Sequence, residues 1–170
     1  MILDLRAFEE FPAEATIRVG SGEIEPFDDC IIRIESAECE LAIQQSAQEY
    51  FCQGRLNARL VLLCARCLAE FEARLDTEID FTICAEEDAA RYRDGDSEEY
   101  VCFQGNELRV DIVDPVRQAL VLALPMKPLC SEDCRGLCSQ CGADLNLEQC
   151  DCNTKTTDPR WGGLADLTEG

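Results

Sequence analysis

The chain has 170 residues, 35 acidic against 15 basic side chains, a formal net charge of −20 and no histidine. That length suits one domain with a small appendage and leaves room for a real core. The charge disfavours broad nucleic-acid binding, and the missing imidazole removes the commonest general base and any histidine-containing metal site. The start, MILDLRAFEEFPAEA, lacks a basic region followed by an apolar run, and no apolar stretch approaches a membrane span. A cytoplasmic location is the expectation. In a reducing compartment the 13 cysteines point to metal binding rather than a disulfide framework.

In chain order, Leu3, Leu5 and Phe8 suit an early strand or arm, and Ser21, Gly22, Pro26 and Asp28 mark loops. Ile31 to Ile43 reads as a strand, with Gln44, Gln45 and Ser46 as a turn. Strict alternation follows: Leu56, Ala58, Leu60 and Leu62, then Phe71, Ala73, Leu75, Ile79, Phe81 and Ile83, each flanked by polar residues. Such a period of two means half-buried strands. Folding them about Ala65-Arg66 puts Leu60 opposite Phe71, Ala58 opposite Ala73 and Leu56 opposite Leu75. The outer face then pairs Arg59 with Glu72 and Arg55 with Asp76. Val61 faces outward, and Cys64 and Cys67 sit opposite each other at the tip.

Residues 85–99 are an acidic loop. Tyr100 to Phe103 and Leu108 to Val110 predict two short strands joined as a hairpin through Gly105-Asn106. Asp111 suits a helix cap, Asp114 and Pro115 suit a first turn, and Ile112, Val116, Ala119, Leu120 and Ala123 follow helical spacing until Pro125. The last segment, with Trp161, Leu164 and Leu167, is expected to dock on the body. The fold class is therefore α+β, mainly β: a twisted antiparallel sheet with one covering helix and a cysteine-rich, zinc-stapled C-terminal segment. The division is 1–125 for the body and 126–170 for the metal-binding segment and tail.

The cysteines carry the chemistry. Cys64 and Cys67 form one C-x-x-C pair, and Cys130, Cys134, Cys138, Cys141, Cys150 and Cys152 read C-x₃-C-x₃-C-x₂-C-x₈-C-x-C. Closely spaced thiolates let a short loop set two sulfurs about 2.3 Å from one zinc ion. Cys138-Ser139-Gln140-Cys141-Gly142 resembles a zinc knuckle, with Cys150 and Cys152 near enough to complete it. Cys130 and Cys134 can join Cys64 and Cys67 in a second site. One zinc held by Cys130, Cys134, Cys138 and Cys141 is the alternative, and an iron–sulfur cluster also accepts four thiolates. One or two zinc ions are expected. The isolated Cys30, Cys39, Cys52, Cys84 and Cys102 read as small buried hydrophobes.

A closed four-cysteine site leaves no position for water, and no glycine-rich phosphate loop is present, so the expectation is not an enzyme. Arg55, Arg59, Arg66 and Arg74 form a basic strip on the outer hairpin face, read as cross-strand ion pairs before RNA contacts. Arg66, Lys127, Arg135, Lys155 and Arg160 remain for a smaller patch.

Several stretches converge on one pattern. Cys64-Ala65-Arg66-Cys67-Leu68 is followed by Ala123-Leu124-Pro125, then Cys130-Ser131-Glu132-Asp133-Cys134-Arg135-Gly136-Leu137-Cys138, Cys141-Gly142-Ala143-Asp144-Leu145-Asn146 and Asp158-Pro159-Arg160-Trp161 with Leu164. Over roughly residues 25–167 the chain resembles the large ribosomal RNA subunit accumulation protein family, also called the YceD family. That resemblance implies a bacterial or plastid protein needed for 23S ribosomal RNA synthesis, processing or stability. It implies no catalytic residue, and it carries the motif cysteines as metal ligands. The expected partners are large-subunit precursors, reached through a basic ribosomal protein, with direct or indirect 23S rRNA contact. The competing expectation is a zinc-thiolate redox sensor or chaperone.

Overall fold

The computed structural model describes residues 1–86, 100–103 and 108–152. Among the described residues seven strands run in order: β1 (Ile2–Asp4), β2 (Ala13–Val19), β3 (Ile31–Ser46), β4 (Glu49–Leu63), β5 (Glu70–Ala85), β6 (Tyr100–Phe103) and β7 (Arg109–Asp111). An α-helix, α1 (Val113–Ala123), follows, and a 3₁₀ turn spans Leu5–Ala7. The described residues are mainly β with a helix after β7, as the sequence predicts. The chain forms two units, one from Met1–Ala65 with Ala69–Cys130, the other from Arg66–Leu68 with residues 131–170.

In the first unit β2-β3-β4-β5-β6 form one sheet, antiparallel except for the parallel β5–β6 pair, and β1 pairs with β7. On one face Ala37, Cys39, Leu41 and Ile43 of β3 meet Cys52, Leu56, Ala58, Leu60 and Leu62 of β4 as buried core. Burying this contiguous apolar face drives the assembly of the sheet. Helix α1 contributes Val116 and Leu120, both fully buried, and Ile112 just ahead of it. Its first turn is capped from one residue further out than usual, because the Val113 amide donates to Asp111 Oδ1 at 3.0 Å. Asp111 also takes the Met1 amine at 3.1 Å, tying β1 to the helix start.

Several expectations change. Gln44, Gln45 and Ser46 continue β3, and the reversal comes at Ala47, which takes φ +54°. Strand β2 carries too few large apolar residues to stand out in sequence. β6 and β7 form no hairpin: β6 joins β5 in parallel, while β7 is drawn to β1.

The β4–β5 register slips two residues from the predicted one. Leu62 faces Phe71, Leu60 faces Ala73 and Ala58 faces Leu75. A two-residue slip keeps every side chain on its face, so the buried set survives. The outer pairs do not: Arg59 stands opposite Arg74 and Arg55 opposite Glu78, and Arg59 Nε donates to Ser36 Oγ at 3.2 Å. Cys64 and Cys67 are not opposite each other. The Cys64 amide donates to Ala69 O at 2.9 Å, leaving Ala65–Leu68 as a four-residue turn with Leu68 at φ +60°. Val61, expected outside, is buried, because alternation fails near the strand end where consecutive residues 60–62 are all covered.

Cys39, Cys52 and Cys84 are buried as expected, whereas Cys30 is half-buried and Cys102 is exposed. Burial pushes the Cys39 and Cys52 thiols up to about 12, as suits inert core groups. The acidic loop from residue 87 and the Trp161 tail lie outside the described residues.

Candidate metal centres

Among the described residues of the second unit there is little helix or sheet, so turns closed by hydrogen bonds position its cysteines. After Cys134, the Arg135 amide donates to Asn146 Oδ1 at 2.7 Å. Leu137 donates to Arg66 O, and Leu145 to Gly136 O. Leu137 and Asp144 form an isolated antiparallel bridge. Gly136 holds φ +74°, and a β-carbon there would press within 3.0 Å of Arg66 O. Glycine is needed at that position on both counts.

The knuckle follows. Cys138 donates to Ala143 O at 2.8 Å, and Gly142 donates back to Cys138 O at 2.9 Å. Gly142 closes the turn at φ +76°, a left-handed conformation. The amides of Cys141 and Gln140 point at Cys138 Sγ and, with the Cys150 thiol, lower its pKa to about 6. Amides aimed at sulfur favour the thiolate, the form that binds metal.

Cys138, Cys141, Cys150 and Cys152 bring four sulfurs within 4.8 Å of one another. A tetrahedron with zinc–sulfur bonds of about 2.3 Å needs sulfurs about 3.8 Å apart, so small side-chain rotations close it. The thiols share protons unequally. The Cys152 amide is the largest single influence on Cys150 and favours its thiolate, but hydrogen bonding to Cys138, burial and the charge of Cys138 together outweigh it and raise Cys150. A hydrogen bond to Cys141, then burial, pushes Cys152 up to about 12.

The other four candidate ligands are Cys64, Cys67, Cys130 and Cys134. Cys64 and Cys130 belong to the first unit, Cys67 and Cys134 to the second. Within the first unit, Ala65 donates to Pro128 O at 2.8 Å and so draws the 64 and 130 segments together. Within the second, the Arg66 guanidinium donates to Cys134 O at 2.7 Å. Within the second unit, Cys138, Cys141, Cys150 and Cys152 gather as one group. Within the second unit, Cys134 does not join Cys138 and Cys141, as the alternative set requires. That group can hold a metal ion. All-thiolate donors suit zinc, and the set is closed.

Sequence reasoning missed Asn146. Its Nδ2 donates to Cys134 Sγ at 3.5 Å and to Asp144 Oδ1 at 2.7 Å, while its Oδ1 holds Arg135. It is an outer-shell donor to a ligand sulfur. Its place twelve residues after Cys134, beside Asp144, was the available signal.

The motifs set on this scaffold define a cysteine-clustered member of a ribosomal RNA-linked family. The family described as large ribosomal RNA subunit accumulation protein YceD matches residues 52–168, and the chain belongs to it. An uncharacterized protein of Mycobacterium tuberculosis is 30% identical over 130 residues, covering 76% of this chain and 61% of its own length. An uncharacterized Mycobacterium leprae protein is 24% identical over 128 residues, covering 75% of this chain and 57% of its own. The Arabidopsis thaliana protein named large ribosomal RNA subunit accumulation protein YCED homolog 1, chloroplastic, is 32% identical over 74 residues, covering 44% of this chain and 23% of its own. The chain thus spans about 61% of the length of its mycobacterial relative. No solved structure matches it. Among the described residues, no helix is long and apolar enough to cross a membrane.

Proposed function

We propose that this protein is a non-enzymatic factor in large-subunit biogenesis that supports 23S rRNA synthesis, processing or stability in the cytoplasm. The family match over residues 52–168, which spans both cysteine groups, carries this reading. In it, Cys64, Cys67, Cys130 and Cys134 hold one zinc ion, and Cys138, Cys141, Cys150 and Cys152 hold another. The zinc ions stiffen a segment over residues 126–170 that would otherwise depend on turns alone, beside a body over residues 1–125. The partner is a large-subunit precursor, reached through a basic ribosomal protein, because the −20 charge attracts basic proteins and repels bare RNA.

Depletion of the protein should lower 23S rRNA relative to 16S, and affinity capture should recover large-subunit precursors. Unchanged 23S levels on depletion would remove the reading. A redox-sensing role is the second reading, favoured by one observation: Cys141 is exposed and Cys150 and Cys152 are only half-buried. A sensor loses zinc under mild peroxide, whereas a structural site retains it.

A further inference from the structure

A groove of about 580 Å³ lies within the first unit, between β5, β6 and α1. Its floor is apolar, with Ile79, Phe81, Val101 and Ala119, and Leu122 of α1 stands 86% exposed at its side. Its lining carries Glu78, Asp80, Asp111 and Asp114 against a single cation, Arg117. Arg117 is bound to Asp114 at 3.1 Å, and Asp111 holds the Met1 amine. Glu78 and Asp80 have no ion-pair partner among the described residues.

Among the described residues, the groove adjoins a sheet edge without a partner strand. β6 pairs only with Thr82–Ala85 of β5. From Asp76 to Phe81, no strand among the described residues pairs with β5 on that side. Along this stretch Asp76, Glu78 and Asp80 alternate with Thr77, Ile79 and Phe81. An open edge presents unpaired amides and carbonyls to any extended chain. Its acidic row repels a second copy of the same edge and attracts a strand of opposite sign.

We propose that the groove and the open β5 edge bind an extended Lys/Arg-rich segment of another protein, its basic residues alternating with apolar ones. The segment adds to β5 as a strand: its basic side chains meet Asp76, Glu78 and Asp80, and its apolar side chains enter the groove beside Leu122. For the kind of partner, the inference rests on the proposed assembly role, since proteins that coat RNA are basic.

The test uses the full chain and a fluorescein-labelled ten-residue peptide alternating Lys with Val or Thr, read by anisotropy. A Glu-for-Lys version of the peptide is the control. The wild type binds the basic peptide, and the affinity falls with added salt. Glu78→Lys with Asp80→Lys weakens binding at least tenfold, whereas Glu14→Lys with Glu40→Lys, the same charge change on β2 and β3, weakens it less than threefold. Leu122→Ser weakens binding with no change in charge. Circular dichroism melts confirm that each variant folds. Absence of binding, or equal loss in the two charge-reversed pairs, overturns the proposal. So does tighter binding of naked 23S rRNA that Arg55→Ala, Arg59→Ala and Arg74→Ala abolish. Co-sedimentation with large-subunit precursors separates the two claims. If the wild type and the Glu78/Asp80 variant sediment equally, the groove is not the docking place and the assembly role stands. If the wild type binds the peptide but never sediments with precursors, the assembly role fails and the groove stands.

Discussion

Asn146 touches a candidate ligand sulfur without being a ligand, so its removal isolates outer-shell support from coordination. Asn146→Ala should weaken zinc retention by the 64/67/130/134 group about 10- to 100-fold in a chelator competition, with the other group unaffected. Cys141→Ser removes a ligand outright. It should release one zinc per chain, read by metal analysis, and loosen the second unit while the β4–β5 pairing persists in amide exchange. Proton release reports on the same group. The thiols of Cys150 and Cys152 are raised, so both are protonated near neutrality, and zinc must displace those protons. Raised thiol pKa values make binding weaken as pH falls and strengthen as it rises. Zinc affinity should therefore climb with pH, and loading at pH 7 should release the protons of both residues into a dye-monitored solution.

At the scale of elements, the hairpin makes a direct comparison possible. Leu60 and Val61 are adjacent on β4 and point to opposite faces, and both are buried. Leu60→Asp and Val61→Asp should each destabilise by several kcal/mol in denaturant titration, because each strands an unpaired carboxylate away from water. Gln53→Asp, on an exposed position of the same strand, should stay within about 0.5 kcal/mol. A mild Val61→Asp would return that residue to the solvent face that simple alternation assigns it. In α1, Leu120→Ala should cost about 2–5 kcal/mol, as a fully buried leucine leaves a cavity.

Over the whole molecule, charge decides how partners are met. At −20, association with a basic protein should weaken with salt, and neutralising Arg66, Lys127, Arg135, Lys155 and Arg160 together should leave association with large-subunit precursors intact. Direct RNA binding would instead show a steep salt dependence whose slope falls by roughly 0.7–0.9 per neutralised contact. Much of this molecule was legible in its sequence. Alternation named the buried faces of β4 and β5, helical spacing named Ile112, Val116 and Leu120, and cysteine spacing marked Cys138, Cys141, Cys150 and Cys152 as a candidate set while leaving an alternative grouping open. These features are local, since each needs only the period of the backbone or the reach of a short loop. Tertiary structure decided what depends on distant partners. The hairpin turn is four residues long, which moves the register by two, and Arg66 within it is held by Leu137 and Cys134. β6 and β7 parted company because β5 and β1 offered each a longer-range partner. Arg66 meets Cys134 across 68 residues of sequence, and no spacing rule reaches that far; the role of Asn146 rests on the turn that returns it to Cys134 Sγ.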